Sequence, residues 1–504
     1  MALGAGSPIH LSSRIGAPLV QVSSKTRPPI RKSFTDLLAT ALEAAATLQD
    51  DDGVLSLAIP LVETRDPMVL LPHLPGNHRF RFLWDGAPGL CLAASGQTHR
   101  LALSGPRRFE LAQEFSAVSL GRLGTTPQTM PPMARPRILL TFSFFDTPLQ
   151  EGQGASGVEA VLPRWQLSRQ GRHCWLRLQR PLGGDVTPRS IAEELWEQAR
   201  RLEALPWHLE PPFQLKRGPG IVSSSPWQGG YRAAVGRGLE LVESGVLRKL
   251  VLAVRQHLEL DQPLDPLRLL AHLRQRQPGS CRFLWQQGEG AALLGASPER
   301  LLAVRQGRLH SDALAGTAPI GPLADQLTSS SKDRLEHELV VEAITQALWK
   351  MGLAPHRPSS PRLAQHGQLV HLHTPITSAM GDQQPLALAE ALHPTPAVAG
   401  LPQRQAMAWL RSLEPFERGH YAAPIGWIDN GGDAELRVAI RSGSLLGRQL
   451  VLTAGAGLVR GSVPERELQE VALKLGVLQQ QLNLPVTEHS GIEHPPKDGE
   501  SGRE

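Results

Sequence analysis

The sequence contains little cysteine and few aromatic residues. Three cysteines occur in 504 residues, far apart and with no CxxC pair (Cys91, Cys174 and Cys281). We therefore expect a reducing compartment such as the cytoplasm, with neither a disulfide framework nor a zinc site. Aromatic residues make up 5%, and no basic run interleaves with them as a nucleic-acid surface requires. The net charge of +5 is thus interpreted as a solvated basic surface, not a nucleic-acid site.

Long apolar runs and early acidic residues are also missing. No stretch approaches the roughly 18–20 apolar residues that span a membrane as a helix, so no membrane association is expected. The first acidic residue is Asp36, and basic residues, serines and prolines precede it. We interpret this start as an irregular arm of a cytoplasmic protein; a plastid transit peptide is the alternative.

Length and composition predict a globular chain of more than one unit. With 504 residues, 41% hydrophobic and 20% charged, it is too long for one ordinary core. A Pro/Gly/Ser-rich stretch at 216–227 is the candidate linker. We therefore predict an arm over 1–33, a variable scaffold half over 34–224, a catalytic domain over 225–484 and a disordered tail over 485–504.

Local patterns predict helices, strands and a repeat. Residues 34–49 have helical spacing behind a serine cap, and VLSLAIPLV from Val54 and KLVLAVRQHLEL from Lys249 are predicted strands. The tetrapeptide RFLW at 81–84 recurs at 282–285, and a strand of small residues follows each copy. The shared context predicts a duplicated α/β unit.

Two pairs of carboxylates are spaced three residues apart in helical segments. Asp333 and Glu336 lie in KDRLEHELVVEAI, and Glu467 and Glu470 lie in SVPERELQEVALKLGVL. Each pair faces one way on its helix, so two facing helices would gather four negative charges. A hard cation such as magnesium prefers such oxygen ligands. The alternative is that each pair lies on a solvated helix face.

Three other positions suggest chemistry. Glu299 follows an apolar strand in GASPERLL, a suitable place for acid or base work, although an exposed turn residue has the same pattern. Lys249 begins a predicted strand, where it is either functional or an ordinary lysine at a strand entrance. AGAGLV at 454–459 is predicted to be a glycine-rich turn that offers backbone N–H groups to an anion. It lacks the spacings of nucleotide-binding loops.

Taken together, the motifs from about residue 225 to 484 resemble the chorismate-utilising enzymes. The matching segments, in order, are LRKLVLAVR (247–255), GASPERLL (295–302), ALAGT (313–317), KDRLEHELVVEAI (332–344), VHLHTPI (370–376), LHPTPAVAGLP (392–402), ERGHYAAPIGWID (417–429), LRVAIRSG (436–443) and TAGAGLVRGSVPERELQEVALK (453–474).

The resemblance implies an α/β fold of two intertwined, pseudo-repeated halves with large antiparallel sheets flanked by helices. The active site is then expected in the cleft, with chorismate as substrate and Mg²⁺ as cofactor, in a monomer or weak homodimer. Glu336 and Glu467 match the direct magnesium ligands, and Asp333 and Glu470 match acidic residues that reach the metal directly or through water. Substrate-binding positions are matched by Gly316, Thr317, His371, Tyr421, Arg441, Gly455, Gly457 and Lys474.

Two positions choose among the family's reactions. Lys249 matches the lysine that activates water, where ammonia-adding anthranilate enzymes carry glutamine. Ala315 stands where aminodeoxychorismate synthases carry a nucleophilic lysine. With Glu299 as the acid, the resemblance implies isomerisation of chorismate to isochorismate for menaquinone, phylloquinone or siderophore synthesis. The alternatives are salicylate formation by later loss of pyruvate, an anthranilate synthase component, or a non-catalytic partner subunit.

Overall fold

The computed structural model describes residues 33–48, 53–62, 65–86, 89–125, 130–148, 155–206 and 219–480. The predicted arm, apart from Ser33, and the predicted tail lie outside these ranges. No helix within them is both long and apolar enough to cross a membrane.

Eleven helices and twenty strands occur in the described residues. The helices are α1 Phe34–Ala46, α2 Pro67–Leu70, α3 Arg108–Gly121, α4 Pro188–Glu203, α5 Gln228–Glu243, α6 Pro266–Arg276, α7 Pro322–Gln326, α8 Ser331–Lys350, α9 Pro385–Leu392, α10 Gln403–Leu413 and α11 Pro464–Gln479. The strands are β1 Val54–Pro60, β2 Phe80–Asp85, β3 Cys91–Leu103, β4 Leu123–Gly124, β5 Arg137–Phe142, β6 Val158–Gln170, β7 His173–Pro181, β8 Ile221–Ser224, β9 Lys249–Leu260, β10 Cys281–Gln287, β11 Ala292–Ser297, β12 Arg300–Arg305, β13 Arg308–Pro319, β14 Arg362–His366, β15 Leu369–Ala379, β16 Gly400–Leu401, β17 Pro424–Asp429, β18 Ala434–Val438, β19 Ser442–Leu446 and β20 Gln449–Leu458.

The strands connect through shared hydrogen-bonded pairings into one large, almost wholly antiparallel arrangement. Strands early in the chain pair with late ones: β2 lies beside β10, and β5 lies beside β17. These pairings join the predicted scaffold half to the predicted catalytic half through their backbones. The α/β class with two intertwined halves is therefore confirmed.

The repeated tetrapeptide lies at the centre of this junction. Its two copies occupy β2 and β10, which run antiparallel, so that Phe82 stands opposite Trp285 and Trp84 opposite Phe283. Each copy then forms a hairpin with the next strand, β3 or β11. The aromatic side chains are buried, and the rings of Phe82 and Trp285 meet edge to face with centroids 6.0 Å apart. The two copies thus pack against each other as related halves.

A charged cluster is buried beside this junction. Oδ2 of Asp85 on β2 accepts hydrogen bonds from Nε of Arg274 at 2.6 Å and Nε of Arg282 at 3.1 Å. Burial alone would raise the pKa of Asp85, but the two guanidinium groups lower it below its ordinary value. Asp66 also pairs with Arg274, so two carboxylates of the first half balance two arginines of the second.

One local prediction was wrong. The AGAGLV segment is not a turn, because its residues through Leu458 belong to β20, which pairs with β9 along its whole length. Its glycines allow close approach: a Cβ on Gly455 would lie 2.7 Å from the carbonyl oxygen of Leu252. The described part of the predicted linker contains β8, which also pairs with β9.

Loss of the Asp85 charge should weaken the junction between the halves. Asp85→Asn removes the carboxylate that pairs with the buried Arg282, whereas Arg274 keeps its pair with Asp66. Breaking a buried ion pair costs about 3–5 kcal/mol. Urea unfolding followed by tryptophan fluorescence should show this loss. Glu110→Gln, which removes half of an exposed pair with Arg107, is the control and should unfold like the wild type. Equal stability of Asp85→Asn would contradict the structural role of the cluster.

Candidate active site

A small cavity of about 60 Å³ lies where β9, β13, β15 and β20 meet α8 and α11. It lies beside a larger cavity of about 890 Å³, since Thr317 and Glu470 line both. Asp333 and Glu467 line the larger cavity. Lys249 lines neither, but reaches the site through Glu336. The other predicted residues line the small cavity: Glu299, Gly316, Thr317, Glu336, His371, Tyr421, Arg441, Gly455, Gly457, Glu470 and Lys474.

Lys249, the first residue of β9, points into the protein and is 0% exposed. Its Nζ lies 2.9 Å from Oε1 of Glu336 on α8. An isolated buried ammonium would be very costly, so this ion pair explains how the lysine is tolerated. Gly457 on β20 makes room for both groups, because a Cβ there would lie 2.4 Å from Oε1 of Glu336 and 3.0 Å from Cε of Lys249.

Glu299 is held in a different environment. It follows β11 and is 2% exposed. Its backbone N–H donates to Oγ of Ser297 at 3.2 Å, and that hydroxyl in turn donates to the carbonyl of Val438 at 2.6 Å. Burial raises the pKa of Glu299 to about 8, against the opposing effect of Lys249. The side chain is therefore protonated at neutral pH and can donate a proton.

His371 and Arg441 form part of the wall of the small cavity. Nδ1 of His371 lies 3.1 Å from the carbonyl oxygen of Gly316, which can only accept, so this nitrogen carries the proton. Burial and the neighbouring Arg441 hold the pKa of His371 well below its usual range. The imidazole is thus neutral, and its Nε2 accepts from Nη2 of Arg441 at 3.3 Å. The guanidinium is thereby oriented at the cavity wall.

Backbone geometry shapes the same wall. The pairing of β13 with β15 shifts between Ala315 and Thr317, and Gly316 has a φ of +71°. This bulge suits glycine. Arg441 has a φ of +51°, and Ala422, next to Tyr421, has +63°. Such conformations cost free energy in residues other than glycine and cluster at functional sites.

The acidic helices meet at the other end of the cavity. Nζ of Lys332 on α8 donates to Oε1 of Glu467 on α11 at 2.9 Å. Nζ of Lys474 donates to Oε1 of Glu470 at 2.5 Å and to the carbonyl of Gly455 at 2.8 Å. Burial raises the pKa of Glu467 to about 7, and the nearby Glu470 adds to the rise.

The oxygen atoms of these acidic residues are suitable ligands for a hard cation, although in this structure the carboxylates are paired with lysines. The donors are carboxylate oxygens, and Oε2 of Glu467 is buried without a hydrogen-bond partner among the described residues. No group of three His, Cys, Asp or Glu side chains within the described ranges has the spacing to hold a metal ion. Cation binding therefore requires the lysines and carboxylates to rearrange.

Comparison with known proteins shows the family of the chain. A family model described as chorismate binding enzyme matches residues 40–483. The chain belongs to this family. It is 39% identical over 261 residues to the salicylate biosynthesis isochorismate synthase of Pseudomonas aeruginosa, covering 50% of this chain and 54% of that one. It is 37% identical over 261 residues to the isochorismate synthase EntC of Escherichia coli K12, covering 50% and 67%.

Among solved structures, the chain resembles MenF, the menaquinone-specific isochorismate synthase of Escherichia coli. The TM-score is 0.71 at 26% identity, covering 90% of this chain and 100% of that one. The likeness therefore extends over the first half, where the sequence motifs of the chorismate-utilising enzymes match only loosely.

Several residues of this chorismate-binding enzyme were missed in the sequence. Lys332 lies within a quoted motif, but no local pattern shows that it reaches Glu467 on another helix. Arg418 lies in ERGHYAAPIGWID; its guanidinium donates to the carbonyls of Val251 and Val398, each at 2.7 Å. It thus ties the strand of Lys249 to a loop of the cavity. Thr395 lies in the quoted segment LHPTPAVAGLP, but nothing in that segment indicates that its hydroxyl lies 3.5 Å from Oε1 of Glu299.

The raised pKa of Glu299 should be measurable in stability. Its pKa rises from 4.5 to about 8 on folding, so between these values the unfolded chain releases a proton that the folded chain keeps. The contribution of Glu299 to the free energy of unfolding is thus fully present below pH 4.5, falls as the pH rises, and is lost above pH 8. Relative to Glu299→Gln, the wild type should lose on the order of 4 kcal/mol across this window. Urea unfolding at pH 5 to 9 tests this, and a constant difference would contradict it.

Proposed function

We propose that the chain is a magnesium-dependent isochorismate synthase, which isomerises chorismate to isochorismate. The observation that carries the proposal is a buried, protonated glutamate that lines the small cavity and a buried lysine paired with Glu336 of the same cavity. Lys249 is suited to remove a proton and Glu299 to donate one. The relatives described above are named as isochorismate synthases.

The site offers a partner for each of two substrate carboxylates. Arg441, oriented by His371, supports binding of the enolpyruvyl carboxylate, together with Tyr421 and backbone N–H groups near Gly455. The ring carboxylate belongs at the opposite end, near Lys474.

Magnesium would be held at this opposite end by four carboxylates and would supply positive charge that stabilises the ring carboxylate and the charge shift of the reaction. Glu336 and Glu467 are the proposed direct ligands. Asp333 and Glu470 would bind directly or through water. The unpartnered Oε2 of Glu467 supports this arrangement.

The reaction needs only proton transfers and a shift of double bonds. As water attacks C2 of the ring, a new C–O bond forms and Lys249 takes the proton; to do so it must first give up its own extra proton and its ion pair with Glu336, because only the neutral amine is a base. The ring double bonds shift, the C4–O bond breaks, and Glu299 gives its proton to the leaving hydroxyl, which departs as water. One water enters and one leaves, so the product is an isomer of the substrate and no redox partner is needed.

The residue at position 315 supports water as the nucleophile. Ala315 lines the cavity and carries no group that could attack the ring. With Lys249 as the base, the hydroxyl-adding reaction is favoured over an amine-adding one. Isochorismate is a precursor in quinone and siderophore synthesis, and we propose that the product feeds one of these pathways.

Product analysis tests the proposed reaction. Incubation of the purified full-length chain with chorismate and magnesium should yield isochorismate in near balance with chorismate, resolved by chromatography. Excess EDTA should abolish the conversion. Stoichiometric salicylate and pyruvate would establish the alternative activity, and anthranilate formed from ammonia would overturn the proposal.

Loss of either proton-transfer group should abolish most turnover. Lys249→Ala and Glu299→Gln should each reduce isochorismate formation by about 100-fold or more, the usual scale for acid and base groups. Both should still bind chorismate and magnesium. Matched controls are Arg248→Ala, a neighbour of Lys249 with a 58% exposed side chain, and Glu289→Gln in an exposed turn. Near-normal turnover by Lys249→Ala would rule out its role as base.

A further inference from the structure

Lys332 is next in the chain to Asp333, one of the proposed cation ligands, and the proposed mechanism gives it no role. It projects from the first turn of α8 toward α11, where its ammonium donates to Glu467 at 2.9 Å. Its side chain is 28% exposed, whereas that of Glu467 is 1% exposed. Lys332 lines the larger cavity beside Asp333 and Glu470. It thus stands where a cation from solvent would arrive.

Lysines neutralise the acidic cluster almost completely. With all seven side chains ionised, the four carboxylates exceed the three lysines by one negative charge. A buried cluster of carboxylates is stable only when such counter-charges are present. The contacts are Lys249–Glu336, Lys332–Glu467 and Lys474–Glu470.

Lys332 differs from the other two lysines because its ammonium can move away from its carboxylate partner. Lys249 is completely buried, so moving its ammonium would only transfer a charge within the interior. Lys474 is also fixed by the carbonyl of Gly455. Lys332 has a long, partly exposed side chain whose ammonium can turn to solvent while its apolar stem stays in place. It can therefore release Glu467 without leaving a buried ammonium behind.

We propose that Lys332 is a tethered counter-cation of the candidate magnesium site, holding Glu467 until a divalent cation replaces it. The inference rests on the proposed function and deepens it. A divalent cation bound alone leaves the cluster with excess positive charge while Lys332 remains nearby. A substrate with two carboxylates removes that excess, so the cation and the dicarboxylate bind cooperatively, each raising the affinity of the other.

Cation binding without substrate tests the role of Lys332. Isothermal titration of the full-length protein with Mg²⁺ alone should show Lys332→Gln binding roughly tenfold tighter than the wild type, a difference of about 1.4 kcal/mol. Lys332→Arg keeps the charge and should bind as weakly as the wild type. Lys350→Gln removes the same charge at the far, exposed end of α8 and is the matched control; it should change nothing.

A second measurement does not depend on replacing Lys332. In Glu299→Gln, which should turn chorismate over about 100-fold more slowly than the wild type or slower still, saturating chorismate should raise the affinity for Mg²⁺ by about 5- to 150-fold, the range of ordinary coupling between sites. Unchanged affinity would overturn the proposal. So would equal or weaker Mg²⁺ binding by a folded Lys332→Gln protein. Product analysis at saturating magnesium tests the proposed reaction separately, so failure of the two ideas can be told apart.

Discussion

The free-energy cost of burying charge governs this site. Lys249, Glu336 and Glu467 are all buried, and each would be strongly unfavourable without a partner of opposite charge. The partners come from different elements: β9 meets α8 through Lys249 and Glu336, and α8 meets α11 through Lys332 and Glu467. The same contacts that make the charges tolerable therefore fix the two helices against the sheet. Geometry and electrostatics at the site have one physical origin.

The same constraint gives two glutamates opposite protonation states. Burial alone would raise the pKa of Glu336, but the neighbouring Lys249 and Lys332 lower it below its ordinary value. Glu299 is equally buried without a close ion pair, and its pKa rises to about 8. One carboxyl is thus kept charged as a candidate ligand and the other neutral as a candidate acid. The difference lies in their neighbours, not in the residue type.

Predictions from the sequence succeeded where the signal was local. Ser33 caps α1 as expected. Asp333 and Glu336 both lie on α8, and Glu467 and Glu470 both lie on α11, as their helical spacing predicted. Gly455 and Gly457 were misread as part of a turn. Glycine is needed at these positions because β20 passes close to β9 and to Glu336, and such tertiary contacts leave no local sequence pattern. Lys332 was missed for the same reason, since its partner is 135 residues away. The repeat predicted duplication, but not that its copies pair directly.

The first half supplies none of the fourteen predicted site residues, yet the site cannot be separated from it. Phe144, beyond the end of β5, donates its backbone N–H to Gly419 at 2.7 Å, and its ring lies 4.3 Å from the guanidinium of Arg418. That guanidinium binds the carbonyl of Val251, two residues after Lys249 on the same strand. A continuous set of contacts thus runs from the scaffold half to the strand that carries the candidate base. Because Arg418 is itself buried and paired with Glu414, a shift of Phe144 would disturb a buried ion pair before it moved Lys249. The first half therefore fixes the position of the chemistry that the second half performs.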